Sequence, residues 1–325
     1  MALVYRFGLR FFSLLELGKS SWVFVFYIHQ SLLLFFLLLS YYLSFKFASQ
    51  IGLDGLRGVL VVSAVFLFNT PILRTVSYNQ VNFYILASIL SVLILFNIYP
   101  FLAGIFASIG GMIKLYPFAL AFPLLLMKKW WALIGLMVGS LFIFAIDTKF
   151  FRNLTLWDQF IQFYLSFPVE QESSLFRNSS PMSLIRNTFD FLNMPVEFLT
   201  GTSIFMILFI LVWFGIRFFQ REKNHGPNYL SSTDVNLFHN MGHLLDFSVI
   251  SLLIAPSAWE HHYVLAIPLM LWVFQLRIKD KPWHVLIGFV LVFGMPVFNV
   301  FPSSYLRLAG LVLLLILALP RQARH

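Results

Sequence analysis

The chain contains no cysteine, which removes disulfides, thiolate metal sites and cysteine nucleophiles together and leaves the redox compartment unmarked. Charge is scarce as well. Asp, Glu, Lys and Arg make up 11% of 325 residues, against about 25% in a soluble globular domain. With 60% hydrophobic residues, that scarcity excludes a water-soluble fold and specifies an all-α, polytopic integral membrane protein. Acidic residues are the rarer sign, 13 against 22 basic ones, giving a net charge of +9. The excess invites a nucleic-acid reading, but it is scattered through short loops as topogenic charge, so no nucleic-acid partner is expected. No small-residue cleavage site follows the charged segment Met1–Lys19, so the first span serves for insertion.

What is present is a series of apolar stretches: Trp22–Phe45, Gly58–Ile72, Val81–Ile98, Phe101–Met127, Trp131–Ile146, Thr202–Phe219, Phe247–Ile254, Tyr263–Phe274, His284–Val300 and Leu306–Leu319. Several are shorter than the roughly 20 residues a full span needs, as expected of helices packed inside a bundle or entering part way. No repeat or low-complexity tract divides the chain, so residues 1–325 read as one transmembrane domain. Lys128-Lys129, the run Arg217, Arg221, Lys223, the run Arg277, Lys279, Lys281, and Arg321 with Arg324 can all lie on the cytoplasmic side. That orientation puts a loop over 148–200 outside, a loop over 220–246 inside, and the cluster Trp259–Tyr263 outside.

Phe101–Met127 admits two readings, because Lys114-Leu115-Tyr116-Pro117 places an ammonium and a helix breaker near its middle. A single crossing puts the N-terminus inside and buries Lys114 in the bilayer. A hairpin of two short helices puts the N-terminus outside and Lys114 over an external cavity. Loop charge favours the first, since Arg6, Arg10, Lys19 and Arg74 become cytoplasmic; the cost of a mid-membrane lysine favours the second.

Much else reads as packing or chance. Gly104, Ser108, Gly110 and Gly111 form a small-residue face for close helix approach. Asn153-Leu154-Thr155 and Asn178-Ser179-Ser180 match the glycosylation acceptor pattern, a short match common by chance. His225, His239 and His243 read as solvated, and His239 with His243 lacks a third ligand, so no metal and no cofactor is expected. Four polar groups then remain: Asn79-Gln80-Val81-Asn82 after Tyr78, Lys114 with Tyr116 and Pro117, Asn178-Ser179-Ser180 followed by Arg186, and Trp259-Glu260-His261-His262. Lys, Arg and His suit phosphate oxygens, while Asn, Gln and Ser suit sugar hydroxyls. Together they point to a lipid-linked sugar phosphate as substrate. An anion transporter or lipid flippase built on the broken helix at Lys114 is the alternative, along with a non-catalytic membrane subunit.

The order of these groups, Asn79-Gln80-X-Asn82, Lys114-X-X-Pro117, Asn178-X-Ser180 with Arg186, and Ser257-X-Trp259-X-His261-His262, resembles glycosyltransferase family 87 from about Tyr5 to about Pro320. The resemblance implies a GT-C-type bundle of about ten or eleven transmembrane or partial helices, whose broken helices favour the hairpin at Lys114. It implies transfer of a sugar, notably mannose, from a polyprenyl-phosphate donor to a lipid or glycan acceptor outside the plasma (inner) membrane. Lys114, Arg186, His261 and His262 are then expected to meet the phosphate, and Asn79, Gln80, Asn82, Asn178, Ser180 and Trp259 the sugar or its surroundings. Members of the family begin with a further helix and an external loop bearing the aspartate base, for which this chain shows no counterpart, making Glu16 and Glu260 the substitutes to consider.

Overall fold

The computed structural model describes residues 21–165, 178–223, 233–296, 298 and 300–319, and every regular element among them is helical. Helix α1 (Ser21–Gln50) runs until Gly52, whose φ of +84° few other residues adopt, ends it. Helix α2 (Gly55–Leu67) is followed by α3 (Thr70–Ser77) at a bend of 55°. Asn69 makes that break: its side chain accepts the Ile72 N–H at 3.0 Å, and Pro71 follows in the first turn, where its missing N–H is harmless. Helix α4 (Asn82–Leu95) is the centre of the bundle, with every residue from Ile85 to Leu93 buried.

Helix α5 (Pro100–Ile113) meets α7 (Trp130–Asp147) with no room between backbones. A Cβ on Gly104 would lie 2.0 Å from the Ala132 carbonyl oxygen, one on Gly135 2.0 Å from that of Phe101, and one on Gly139 2.1 Å from Ser108 Oγ. Between α5 and α7 the chain turns back on itself. Lys114 leaves the helix in an extended conformation, Tyr116–Leu120 forms a tight 3-10 turn, and α6 (Ala121–Leu126) follows. Pro117 and Phe118 press against Gly110 and Gly111, where an added Cβ would sit 2.9 and 2.8 Å from them. The segment is therefore a hairpin of two short arms.

The expected loop over 148–200 contains α8 (Thr155–Leu165) and α9 (Pro181–Leu192) and ends where α10 (Leu199–Lys223) begins. Helix α11 (Thr233–Ile254) starts well inside the expected loop over 220–246, leaving only 224–232 between helices, outside the described residues. A 3-10 segment, Glu260–Ala266, then leads into α12 (Ile267–Arg277), α13 (Pro282–Phe289) and α14 (Leu306–Leu317). Among the described residues three helices are long and apolar enough to cross a membrane, Phe26–Gln50, Trp130–Asp147 and Val196–Lys223, and the bent pair α2 and α3 can make a fourth span.

Three arginines read as topogenic charge are buried instead. Arg217 and Arg221 on α10 both grip Asp246 on α11, at 2.6 and 3.0 Å. Arg221 also donates to the Ala318 carbonyl at 3.2 Å, while Arg277 donates to those of Leu317 (2.8 Å) and Leu319. These are carbonyls a helix leaves open at its C-terminus, so the guanidiniums cap α14 as they pair. His243, read as solvated, is buried 4.1 Å from the Phe218 ring centroid, with Nε2 3.3 Å from Glu222. Asp246 and His243 hide inside α11 because each has a polar partner, which a hydropathy reading of the chain cannot see.

Candidate functional site

The hairpin break, the turn from α3 into α4 and the 3-10 segment Glu260–Ala266 converge on one cluster. The turn is closed by the Gln80 N–H to Thr75 carbonyl bond at 2.9 Å, with Asn79 at φ +54°, a conformation asparagine tolerates better than most residues. Gln30 of α1 donates to Asn79 Oδ1 at 2.9 Å, and His29 Nε2 lies 3.3 Å from the Asn79 carbonyl. The Gln80 side chain donates to the neighbouring Tyr78 carbonyl, at 3.3 Å.

Asn82 is fully buried at the head of α4 and uses both ends of its amide. Nδ2 donates to the His261 carbonyl at 2.8 Å, and Oδ1 accepts from Lys114 Nζ at 3.0 Å. Thr75 Oγ1 lies 3.2 Å from the same His261 carbonyl. Lys114 Nζ is also 2.8 Å from His262 Nε2 and 5.3 Å from the Tyr116 ring centroid. Two nitrogens that close share one proton, so the pair carries at most one positive charge. Around His262 Nδ1 stand the Trp259 N–H at 3.2 Å and the Tyr116 hydroxyl at 3.4 Å.

The two histidines differ in what they leave open. His262 has both ring nitrogens engaged, whereas His261 Nδ1 is buried without a hydrogen-bond partner. The His261 ring is flanked by Tyr78, with centroids 5.8 Å apart, by Trp259 at 6.5 Å and by His262 at 4.4 Å. Both imidazoles precede α12 and lie outside the spanning helices. Burial, and after it the Lys114 charge, lowers His261 to about 3 and holds His262 well below the ordinary histidine value. The pair therefore offers neutral donors and acceptors rather than positive charge.

Glu260 is taken up by two arginines that the sequence reading did not place here. Its Oε1 is 2.9 Å from Arg74 Nε on α3, and its Oε2 is 3.6 Å from Arg307 Nη1 at the start of α14. Arg307 in turn donates to Thr70 Oγ1 at 2.8 Å and to the Met295 carbonyl. Glu260, one of the two acids considered as a base, is thus an ion-pair partner in this structure. An arginine heading the apolar run Leu306–Leu319 was the one signal available, since a charge at the edge of a span calls for a partner.

Asn178, Ser180 and Trp259 stand behind the cluster. Asn178 pairs with Trp259 in an isolated antiparallel bridge. Its Nδ2 donates to the Pro256 carbonyl at 2.9 Å, and its Oδ1 accepts the N–H groups of Ala258 (2.8 Å) and Ser180 (3.1 Å). Ser180 Oγ donates to the Pro256 carbonyl and accepts the Ser183 N–H at the start of α9. These residues lash the 256–262 stretch in place, and Asn178, 0% exposed, presents no amide to solvent. Arg186 pairs with Asp190 one turn along α9, at 3.4 Å, and no hydrogen bond or ion pair among the described residues joins it to the cluster. Glu16 and the side chain of His239 lie outside the described residues. Among the described residues no three His, Asp or Glu side chains gather to hold a metal ion.

No curated protein and no solved structure matches the chain. A family model does, over residues 7–256, a stretch that includes Arg74, Asn82, Lys114 and Asn178 and ends just before Trp259. The chain belongs to glycosyltransferase family 87.

Proposed function

We propose that this glycosyltransferase moves a hexose, mannose in the first instance, from a polyprenyl-phosphate donor to a hydroxyl of a lipid or glycan acceptor. The reaction is placed on the extracytoplasmic face of the plasma (inner) membrane, with 148–200 and the Trp259–Tyr263 cluster outside and Lys128-Lys129 and Arg277–Lys281 inside. The observation that carries the reading is the Lys114, Asn82 and His262 network at the break of a helical hairpin. It sets an ammonium, an imidazole and an amide at a boundary where a lipid headgroup arrives from the side.

In the displacement, the acceptor oxygen bonds to the anomeric carbon as the bond from that carbon to the phosphate oxygen breaks. The polyprenyl phosphate leaves with the electron pair, and the acceptor's proton goes to a general base, for which Glu16 is the acid of this chain left to consider. Lys114 stabilises charge growing on the departing phosphate, and His261 Nδ1, buried without a partner, is placed to contact a donor oxygen. Asn79 and Gln80, half-buried at the rim of the α3 to α4 turn, suit sugar hydroxyls. Asn82, Asn178 and Ser180 position the others. Glu260, gripped by two arginines, is assigned no proton transfer.

Membranes containing the full chain, given radiolabelled polyprenyl-phosphate mannose and tested in parallel for solute uptake in proteoliposomes, decide the matter. Transfer of label to a lipid or glycan that is lost in Lys114→Met supports the reading. Uptake without transfer overturns it in favour of a transporter.

A further inference from the structure

We propose that Arg74 is a cationic ligand of the donor's phosphate group, facing the same cluster as Lys114, and that Glu260 is the residue that positions it. The proposal rests on the donor-phosphate reading above and adds a cation to it. Arg74 shares α3 with Thr75, whose hydroxyl reaches the His261 carbonyl. Its guanidinium lies 5.7 Å from the Tyr78 ring centroid, and that ring packs against His261. Arg74 thus borders the cluster at Tyr78 and His261.

Its pairing is lopsided in a useful way. The ion pair to Glu260 runs through Nε, and neither terminal amino group has a hydrogen-bond partner among the described residues. The side chain is 47% exposed, whereas those of Glu260 and Arg307 are each 4% exposed. An exposed arginine meeting an exposed acid would be an ordinary surface pair of little consequence. Here the acid is buried and braced from behind by Arg307, so it acts as a fixed mount. Among the described residues two guanidiniums stand against this carboxylate, and Arg74 is the one of the two whose side chain is open to the surroundings. A guanidinium edge matches two phosphate oxygens, where an ammonium offers only a point charge. Arg186, the arginine expected in this role, pairs with Asp190 on its own helix, and no hydrogen bond or ion pair among the described residues joins it to the cluster.

The chemistry recognised is a phosphate monoanion or dianion at the membrane surface, and the test separates its sources. The full chain in phosphatidylcholine nanodiscs is titrated with polyprenyl monophosphate, with uncharged polyprenol, and with inorganic phosphate as competitor. Wild type is expected to prefer the phosphate over the alcohol and to be displaced by inorganic phosphate. Arg74→Ala is expected to weaken polyprenyl-phosphate binding roughly ten- to a hundredfold, the range for losing a charged donor to a phosphate, with partial recovery in Arg74→Lys. Glu260→Gln should weaken binding severalfold in wild type and add nothing in the Arg74→Ala background, which a merely structural glutamate would not do. Melting temperatures of all variants check that half-exposed Arg74 can be changed without unfolding. Wild-type affinity in Arg74→Ala together with loss in Lys114→Ala would remove Arg74 and leave the donor site standing. No preference of wild type for phosphate over alcohol would remove both. Equal binding of phosphatidylglycerol would make Arg74 a general headgroup anchor and overturn the assignment.

Discussion

Replacing Asn178 by alanine tests whether the conspicuous Asn178-Ser179-Ser180 sequence is a brace for the histidine segment or a surface glycosylation acceptor. The side chain is 0% exposed and satisfies three backbone groups: the N–H groups of Ser180 and Ala258 and the carbonyl of Pro256. The carbonyl keeps the Ser180 hydroxyl at 3.0 Å, so alanine orphans the two N–H groups. Each buried orphan costs about 1–3 kcal/mol, which gives roughly 2–6 kcal/mol in all. Ser180→Ala, which removes a helix cap, should cost only about 0.5–2 kcal/mol. Since Ala258 is directly followed by Trp259, the loss should also loosen the stretch carrying His261 and His262. Thermal melting in nanodiscs reads the first effect, and polyprenyl-phosphate binding the second. An Asn178→Ala protein that melts with wild type and binds equally would refute the brace, as would a glycan found on Asn178.

Asp246→Ala should destabilise the chain by about 3–5 kcal/mol, because Arg217 and Arg221 are left buried and uncompensated, while replacing all three by apolar residues should cost far less; denaturation in mixed micelles compares the two. Gly135→Ala should disrupt the α5 and α7 contact by at least the usual 1–3 kcal/mol of overpacking, since the new Cβ meets the Phe101 carbonyl at 2.0 Å and backbone cannot rotate away; an unchanged melting temperature would contradict that contact. Acid should weaken the fold. With His261 lowered to about 3 and His262 also lowered, the unfolded chain binds more protons between the ordinary value near 6.5 and the folded ones. Their contribution is thus complete above about pH 6.5 and lost as pH falls toward 3. Melting from pH 7.5 to pH 5 should fall less steeply in His261→Asn/His262→Asn than in wild type, and equal slopes would count against neutral imidazoles.

The parts of this molecule legible in its sequence are those set by neighbours along the chain. The apolar runs marked the helices, Lys114 and Pro117 marked the hairpin break, and Gly104, Gly110 and Gly111 marked close contacts. What stayed hidden depends on partners far apart in sequence. Glu260 is paired with residues 74 and 307, and Asp246 with 217 and 221, so each acid looked solitary in its own segment. For the same reason α11 began earlier than its hydropathy suggested, because a helix can bury an aspartate only when the cations reaching it come from elsewhere. Asn178 was legible as a polar residue beside the site, but the direction of its amide, toward backbone and away from ligand, was not.

The outer helices differ greatly in total length but little in apolar length, and that match reaches beyond the protein. Trp130–Asp147 has 18 residues, about 27 Å at 1.5 Å per residue, and Val196–Lys223 has 28, about 42 Å if straight. Both turn most of their surface outward, with only 22% and 11% of their apolar windows buried. The second ends in the polar run Arg217–Lys223, so its apolar stretch, Thr202–Phe219, is only about 27 Å long, and a hydrocarbon layer of about 30 Å suits both helices while the polar end of the second stands past it. Acyl-chain length thus becomes a variable of the enzyme: both flanks fit one hydrocarbon thickness, and stability should fall in bilayers much thinner or thicker than it.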